Sequence, residues 1–409
     1  MREMKDSRHE TIGLVPSDWT EKRLKYLCKI QTGNEDTQNA NPEGKYPFYV
    51  RSPIVEHCDR YTFDGEGILV AGDGAGAGRI FHHVYGKYAV HQRVYRLSHF
   101  AGNADFIYYY LSNLFPHEMD KGSAQSTVPS MRLPMLLNFP LFLPSKKEQD
   151  KIVTFLDSKC SEIDAISADI QKEIETLEKY KRSVITEAVT KGLTPEADMK
   201  DSGIGYIGII PNHWVVEKIK YHLKYRGNRN PGGVQVLSVY REYGVIPKDS
   251  RDDNHNVTSE DTSNYRYVRV GDFVINKMKA WQGSMAISDY EGIVSPAYYV
   301  YEFSDEHFDR KYFHYLLRNK MYATEFLRVS GGIRVGQWDL SAYDFENTMV
   351  PMPPIKEQKK IAAFLDTKST EIDSLIGEKK RQLEILDSYK KSFIYEYVTG
   401  KKEVPTYES

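Results

Sequence analysis

The chain has 409 residues, 40% of them apolar, which is enough for about two or three globular units with cores of their own. It carries 55 Lys and Arg against 57 Asp and Glu, a net charge of −2, and this balance excludes a uniformly basic nucleic-acid binder. If the chain binds nucleic acid, its positive potential is local or is supplied by other chains of a complex.

The sequence does not support a membrane or secreted protein, nor one held together by disulfides or zinc. No apolar run reaches the roughly 20 residues of a membrane helix, and the first residues lack the apolar stretch of a signal peptide, so we expect a cytoplasmic protein with no membrane partner. The cysteines Cys28, Cys58 and Cys160 are odd in number and widely spaced. They fit neither a disulfide framework nor a zinc site, so we expect reduced thiols and no bound metal.

A short block near the start of the chain returns in its middle, and such a repeat constrains the architecture before any single element is assigned. The two copies keep a constant offset of 195 residues: Lys5-Asp6-Ser7, Ile12-Gly13, Pro16, Trp19 and Lys25-Tyr26 return as Lys200-Asp201-Ser202, Ile207-Gly208, Pro211, Trp214 and Lys220-Tyr221.

The segments that follow the two copies share little identity, but their patterns agree in order. Each has a turn feeding a buried strand, further strand signal with an interruption, a short helix and a glycine loop. The paired ranges are 65–70 with 271–275, 88–97 with 293–301, 106–111 with 312–317, and 122–125 with 331–334. We predict one mixed α/β fold used twice, with surface residues that have diverged.

A longer repeated block predicts a helix in each copy. Residues 148–191 return as 357–400 at an offset of 209, with 20 identities in 44 positions. Apolar residues recur at spacings of three and four, and an unbroken helix of this length would run about 60 Å. Such a helix needs a partner, and the other copy, packed antiparallel, is the simplest one.

The ends of these helices carry start and stop signals. Ser145-Lys146-Lys147-Glu148 has the form of a capping box, Pro354 precedes the second start, and Gly192 and Gly400 predict the ends. We expect breaks near Asp157-Ser158 and Asp366-Thr367. The chain then divides into two globular domains, 1–145 and 196–354, and two helical regions, 146–195 and 355–409.

The order of these blocks resembles a known family, the specificity (HsdS) subunits of type I restriction-modification systems. The resemblance covers nearly the whole chain and is carried by the Pro-x-x-Trp blocks, by Glu-Gln-x-x-Ile-x-x-Phe-Leu-Asp at 148–157 and 357–366, and by Ile163-Asp164 and Ile372-Asp373. It implies two target-recognition domains that each read half of a bipartite DNA site, held apart by two long antiparallel helices that form a coiled-coil-like spacer.

The resemblance also implies partners. Modification (methyltransferase) subunits bind the helical regions, and restriction (ATP-dependent endonuclease and translocase) subunits join the complex, while this subunit holds no cofactor and does no chemistry. Readers on one face of the duplex would lie roughly one helical turn, about 34–36 Å, apart or somewhat closer. Because the two variable segments differ in length and surface residues, we predict an asymmetric target with an unread spacer.

Base readout needs Arg or Lys for guanine and Asn or Gln for adenine, and corresponding loops of the two copies supply such residues. The candidates in the first copy are Arg79, Gln92, Arg93, Ser123, Gln125, Ser126 and Thr127. Those in the second are Lys277, Lys279, Trp281, Gln282, Ser295, Tyr298, Arg334, Gln337 and Trp338. For each of them a solvated or structural role stays open beside direct contact with DNA.

Two further motifs have competing interpretations. The glycine run from Gly72 to Gly78 matches neither a dinucleotide fingerprint nor a Walker A loop, and it predicts a hairpin turn or a loop that approaches DNA closely. Tyr180-Lys181 and Tyr389-Lys390, late in each helix, are candidates for helix packing or for the interface with the modification subunit.

Two alternatives belong to other functional classes. The chain has no Asn-Pro-Pro-Tyr or Asp-Pro-Pro-Tyr motif, no Walker A loop and no His-Glu-x-x-His helix, so we predict no catalytic residues. The cluster Asp249, Asp252, Asp253 and His255 could hold a nuclease metal, although a solvated loop explains it more simply. The helices alone are also compatible with a duplicated coiled-coil scaffold that binds only protein.

Overall fold

A computed structural model describes residues 2–122, 129–241, 243–251, 258–304, 308–332 and 338–405. The chain forms two compact units, unit 1 with Met1–Gln171 and Arg381–Ser409 and unit 2 with Lys172–Lys380. Each unit therefore takes one part of each long helix. Within the described residues, none of the helices combines the length and the apolar character that crossing a membrane requires.

Unit 1 is built on two four-stranded sheets. The first, in the order β4-β11-β8-β9, is antiparallel, and the second, β6-β5-β10-β7, contains a parallel pair, β5 with β10. Their strands and the neighbouring elements are β1 Met4–Asp6, β2 Leu14–Pro16, β3 Thr20–Arg23, β4 Lys29–Thr32, β5 Tyr46–Tyr49, β6 Glu56–Cys58, β7 Phe63–Asp64, β8 Gly67–Ala71, β9 Phe81–Val84, β10 Lys87–Val90, β11 Val94–Ser98, α1 Ala104–Gly122, α2 Leu133–Leu137, β12 Pro140–Leu143 and the start of α3 Lys146–Lys191.

Unit 2 repeats this topology. Its sheet β16-β23-β20-β21 matches the first sheet of unit 1, and the pairs β17-β18 and β19-β22, joined by a parallel bridge from Val236 to Ile293, match the second. The elements are β13 Met199–Asp201, β14 Ile209–Pro211, β15 Val215–Lys218, β16 Leu223–Tyr225, β17 Leu237–Tyr240, β18 Gly244–Pro247, β19 Arg266–Val268, β20 Phe273–Asn276, β21 Met285–Ile287, β22 Gly292–Val294, β23 Tyr298–Phe303, α4 Arg310–Leu317, α5 Lys320–Val329, α6 Ala342–Asn347, β24 Met349–Met352 and α7 Ile355–Val398.

These observations confirm the mixed α/β fold used twice. The predicted short helix of the first copy is longer than expected, because its apolar residues continue at three and four spacing through Phe106, Tyr110 and Leu114, all fully buried. Phe106 packs edge-on against Trp19 in the core of unit 1, with ring centroids 6.2 Å apart. The three cysteines are free thiols.

Both long helices are continuous, α3 over 46 residues and α7 over 44, so the predicted breaks are wrong. An aspartate interrupts a helix when its carboxylate competes for the helix backbone. Here the Asp157 carboxylate accepts a hydrogen bond from the Tyr109 hydroxyl at 2.7 Å, and Asp366 accepts one from Tyr315 at 2.8 Å. Both aspartates therefore fasten their helix to the globular part of the same unit.

The two helices run antiparallel within each unit. In unit 1, Phe155 packs on Tyr397 at 4.9 Å between ring centroids, and Asp164, further along α3, pairs with Lys390, earlier on α7. In unit 2 the ion pairs are Glu173 with Lys379 and Lys181 with Asp373, each at 2.6 Å. Because residue numbers rise along α3 as they fall along α7, each pair confirms the expected antiparallel packing.

The repeated Pro-x-x-Trp block packs on the glycine that ends a long helix. In unit 1 this glycine is Gly400 from α7, and a Cβ placed on it would lie 2.9 Å from Trp19 Cζ2. In unit 2 it is Gly192 from α3, and a Cβ there would lie 3.2 Å from Trp214 Cζ2. Both glycines have positive φ, +69° and +74°, as helix-ending glycines usually do.

The repeated Glu-Gln pair has a structural role. In unit 1 the buried Gln149 accepts from Asn103 N at 3.0 Å and donates to the Pro144 carbonyl at 2.9 Å. In unit 2 Gln358 accepts from Asp309 N at 2.8 Å and donates to Pro353 O at 2.8 Å. Each glutamine therefore links the start of a long helix to the start of the domain helix. Its side chain satisfies the hydrogen bonds of two buried backbone groups.

Ser145 and Glu148 complete the helix start in the first copy. Glu148 N donates to the Ser145 hydroxyl at 3.4 Å, as the capping box predicts. The Glu148 carboxylate, however, accepts from the Arg2 guanidinium, so it is used to fasten the N-terminal strand region to α3.

Candidate nucleic-acid interface

Three loops of unit 1 meet at one end of its first sheet. The glycine run connects β8 to β9 as the predicted hairpin turn, and Gly72 N donates to Arg93 O at 2.9 Å. Met131 N donates to Gly72 O at 2.8 Å, which brings in the segment before α2. Main-chain hydrogen bonds therefore fix these loops against one another, around a cleft of about 320 Å³.

A carboxylate that lines this cleft, Asp73, holds two basic side chains. Asp73 accepts from Arg51 at 2.9 Å through one oxygen and from Arg93 at 3.1 Å through the other. Arg93 keeps 63% of its side chain exposed, and most of the five N–H donors of a guanidinium stay available. The arrangement presents two arginines in set positions, as bidentate readout of guanine or a grip on phosphate requires.

The loop that carries Arg93 is also held by a histidine. Burial and the charge of Arg51 lower the pKa of His91, so its ring is neutral near pH 7. Its Nδ1 accepts from Arg93 N at 3.0 Å, which places the proton on Nε2. The neutral ring thus orders the loop without adding charge to it.

The other candidates of unit 1 are engaged by acids or lie outside the described residues. Gln92 is exposed, and its amide nitrogen donates to Asp36 at 2.8 Å. Arg79 is exposed and paired with Asp120. The candidates outside the described residues are Ser123, Gln125, Ser126 and Thr127.

Unit 2 builds the same three-loop arrangement from different residues. Lys277 N donates to Ala297 O at 3.1 Å, and Leu340 N donates to Lys277 O at 3.0 Å. These two bonds correspond to the pair that Gly72 makes in unit 1, with Lys277 standing in the place of Gly72. We call the three joined loops of either unit its platform: residues 72–79, 91–93 and 129–131 in unit 1, and 277–283, 295–298 and 338–340 in unit 2.

The side chains of the unit 2 platform differ from those of unit 1. Trp281 and Trp338 contact edge to face with centroids 5.2 Å apart, and this contact joins two of the loops. The Lys277 ammonium pairs with Asp339 at 3.0 Å. Lys279 and Gln282 are exposed, and Lys279 forms no ion pair with any residue that the structure describes.

The remaining unit 2 candidates are partly buried or not described. Tyr298 begins β23 and packs on a small core that includes Val239 and Val300, and burial raises the pKa of its hydroxyl. The Ser295 hydroxyl accepts from Ala297 N at 3.4 Å, as in a local turn. Arg334 and Gln337 lie outside the described residues.

The helix candidates separate into exposed rings and paired charges. Tyr180 and Tyr389 are 54% and 53% exposed. Lys181 pairs with Asp373 in unit 2 and Lys390 with Asp164 in unit 1, each at 2.6 Å. The lysines therefore help hold the helices together, whereas the tyrosines present free surface in each unit.

Sequence reasoning missed Asp73 and Asp339, the carboxylates that position basic side chains, and Asp36, which holds Gln92. It also missed Arg51. Asp73 stands inside the glycine run, so its place in that loop was a usable signal. Asp252, Asp253 and His255 of the acidic cluster are not among the described residues, and Asp249 lies in a single helical turn, Lys248–Ser250. In the described part of the chain, no group of three or more His, Cys, Asp or Glu side chains is placed to hold a metal ion.

Comparison with known proteins gives consistent results. The profile of the family described as type I restriction modification DNA specificity domain matches residues 16–176 and 224–385. The chain is 23% identical to the type I restriction enzyme EcoDI specificity subunit of Escherichia coli over 402 residues, covering 89% of this chain and 86% of that protein. It is 24% identical to the MjaVIII specificity subunit of Methanocaldococcus jannaschii over 426 residues, covering 95% and 94%.

A solved structure shares the fold. It comes from work on complex assembly and conformational transition of the type I R-M system, and it superimposes with a TM-score of 0.65 over 95% of this chain and 99% of that chain, at 14% identity. The two profile matches each cover one globular part and extend into the long helix that follows it. The chain belongs to the family of type I restriction-modification DNA specificity proteins.

Proposed function

We propose that the chain is the DNA-specificity subunit of a type I restriction-modification complex and that it recognises an asymmetric bipartite site. The platform of unit 1 reads one half-site and the platform of unit 2 reads the other. The observation that carries this proposal is that the same main-chain hydrogen bonds hold both platforms while their side chains differ. A common frame with different readout residues suits two different half-sites.

The two platforms favour different chemistry at the bases. Unit 1 offers Arg93 and the neighbouring Arg51 on a shared carboxylate, together with Gln92, whose amide oxygen accepts no hydrogen bond from a described residue. Unit 2 offers Lys279, Gln282 and two indole rings. Arg and Lys suit guanine, and Gln suits adenine, so each half-site should contain at least one base chosen by these side chains.

The division of labour along the chain follows from this proposal. Residues 1–145 and 196–354 act as target-recognition domains, and residues 146–195 and 355–409 act as helical regions that bind modification subunits. The exposed Tyr180 and Tyr389 suit such an interface, because exposed aromatic side chains often anchor protein partners. Restriction subunits would join through the assembled complex.

The chain is proposed to be non-catalytic and without a cofactor of its own, since methyl transfer and cleavage belong to the partner subunits in this reading. Its relatives are specificity subunits of type I restriction enzymes, which supports this assignment. The cytoplasmic location expected from the sequence is part of the same proposal, because the complex would act on the DNA of the cell.

The test is selection from a randomised duplex library by the full chain together with its modification subunit, followed by sequencing of the bound duplexes. We expect two different short motifs at one fixed spacing. A bound pool without enriched motifs would contradict the proposal and favour a duplicated coiled-coil scaffold that binds only protein.

A further inference from the structure

A wide groove of about 1250 Å³ lies beside the platform of unit 2, and it is lined entirely by residues of that unit. Its walls come from α3, α4, α5 and α7 and from the turn that carries Trp281 and Gln282. Six of its lining residues are basic, Lys181, Arg182, Arg241, Lys311, Arg318 and Lys320, and two are acidic, Asp366 and Asp373. The chain as a whole carries −2, so this concentration of positive charge is local.

The acids of the groove are already occupied. Lys311 pairs with Asp366 and Lys181 with Asp373, each at 2.6 Å. The other four cations form no ion pair with a described residue. Within the described residues they therefore give the groove four charges without an acidic partner, three of them from the exposed Arg182, Arg241 and Lys320.

Arg318 is the most informative of these four. It is half-buried, and its guanidinium donates to His314 Nε2 at 2.9 Å and to the Arg241 carbonyl instead of to a carboxylate. Burial and the nearby Arg318 lower the pKa of His314 to about 4, so the ring is a neutral acceptor near pH 7. A partly buried arginine held by neutral groups keeps its full charge for an anion.

In unit 1 the described positions that match Arg318, Lys320 and Arg182 carry no unpaired charge. The contact of Tyr315 with Asp366 is equivalent to that of Tyr109 with Asp157 in unit 1. In the same alignment of the two copies, Ser112 is the counterpart of Arg318. The counterpart of Lys320 is the buried Leu114. The repeat also aligns Arg182 with Lys391, which pairs with Asp387 at 2.7 Å. The basic groove is therefore a property of unit 2 and not of the fold.

We propose that this groove binds the sugar-phosphate backbone of the DNA next to the half-site that unit 2 reads, and that it adds affinity and orientation without adding base specificity. The inference rests on the proposed function. Two features favour DNA over an acidic protein segment. Trp281 and Gln282 belong to both the platform and the groove, so one surface continues into the other.

The second feature is the chemistry of the walls. Arg182, Arg241 and Lys320 line the groove and are exposed, so their N–H groups can donate to phosphate oxygens. A protein segment would use buried apolar anchors, whereas the apolar or aromatic side chains of this groove, Ile185, Trp281, Tyr315, Ala323 and Leu327, are a minority of its lining residues.

The test compares the salt dependence of duplex binding for three forms of the full chain with its modification subunit. The duplex carries the site selected by the wild-type complex. The groove variant is R182Q/R241Q/K320Q, in which all three residues are exposed, and the control is K356Q/K359Q/K360Q, an equal charge change at exposed positions of α7 outside the groove. Thermal unfolding checks that both variants are folded.

We expect the groove variant to reduce the slope of log K against log salt by about 2 to 3, since each lost phosphate contact removes about 0.9, while the selected motifs stay the same. The control should keep the wild-type slope. An unchanged slope in the groove variant, an equal reduction in the control, or a loss confined to modification-subunit binding would overturn the inference. If the wild-type complex selects no site at all, the proposed function itself has failed.

Discussion

Unit 1 and unit 2 share their buried framework and differ in the charges that surround it. In both units the same main-chain hydrogen bonds join three loops. In both, a buried glutamine fixes the start of a long helix, and a tryptophan packs on the glycine that ends one. In unit 1, however, the carboxylate of Asp73 holds both Arg51 and Arg93, whereas unit 2 has a groove in which four cations form no ion pair with any described residue. The fold depends on buried contacts, so the exposed chemistry of each copy is free to diverge.

The largest expected effect tests the common framework. Replacing Gln149 or Gln358 by Leu leaves a backbone N–H and a carbonyl without their partner in a buried place, at a cost of roughly 2–5 kcal/mol each. We expect similar losses in both units, measured by urea unfolding, and little change for Gln171→Leu and Gln382→Leu at exposed positions of the same helices. A large loss of stability for only one of the two substitutions would contradict the equivalent role of Gln149 and Gln358.

An effect of intermediate size concerns the pH dependence of stability, to which a histidine contributes in unit 2 but not in unit 1. The pKa of His314 is about 4 in the folded protein against 6.5 in the unfolded chain, so titration of this ring does not change the stability well above pH 6.5. As the pH falls from 6.5 towards 4, the unfolded chain takes up the proton first and the folded state loses stability, by about 2 kcal/mol at pH 5.

His314→Gln keeps an acceptor for Arg318 and removes this titration, so the variant should lose less stability than the wild type between pH 7 and pH 5. Unit 1 has the non-titrating counterpart Tyr108 at this place, and Tyr108→Phe should leave the pH profile unchanged. Parallel urea-unfolding profiles for wild type and His314→Gln would contradict the proposed environment of the ring.

The smallest effect concerns the equivalent ion pairs of the helices. Lys181 with Asp373 and Lys390 with Asp164 have nearly the same exposure, and exposed pairs contribute about 0.2–1 kcal/mol. Double-mutant cycles with Lys→Met and Asp→Asn should give equal coupling energies in the two units, decreasing with added salt. A coupling energy above this range in either unit would show that the pairs are not equivalent.

Much of the fold could be predicted from the repeats. The offset between the two copies locates the helices, and the matching strand patterns predict one domain used twice. The helix ends were also predictable, because Gly192 and Gly400 have the conformation that stops a helix. The error at Asp157 and Asp366 has a clear cause: the sequence places a short polar residue in the helix but does not show that a tyrosine of the domain binds it.

The loops of the two platforms could be predicted from the sequence, but the ion pairs that position their side chains could not. The sequence supplies Arg93 and Lys277, yet their acid partners Asp73 and Asp339 depend on contacts between loops. The basic groove of unit 2 was not predictable, because its cations come from segments far apart in the chain. The almost neutral overall composition gives no sign of such a local excess of positive charge.

The most direct measurement of the central claim is a half-site exchange experiment on the selected duplex. Affinities are measured for the wild type, Arg93→Gln in unit 1 and Lys279→Gln in unit 2, each on the full site and on duplexes altered in one half. Each substitution should reduce discrimination in one half only, by roughly 1–3 kcal/mol, and the two should affect different halves. If both substitutions weaken discrimination in the same half, or neither changes it in either half, then the units do not read separate half-sites.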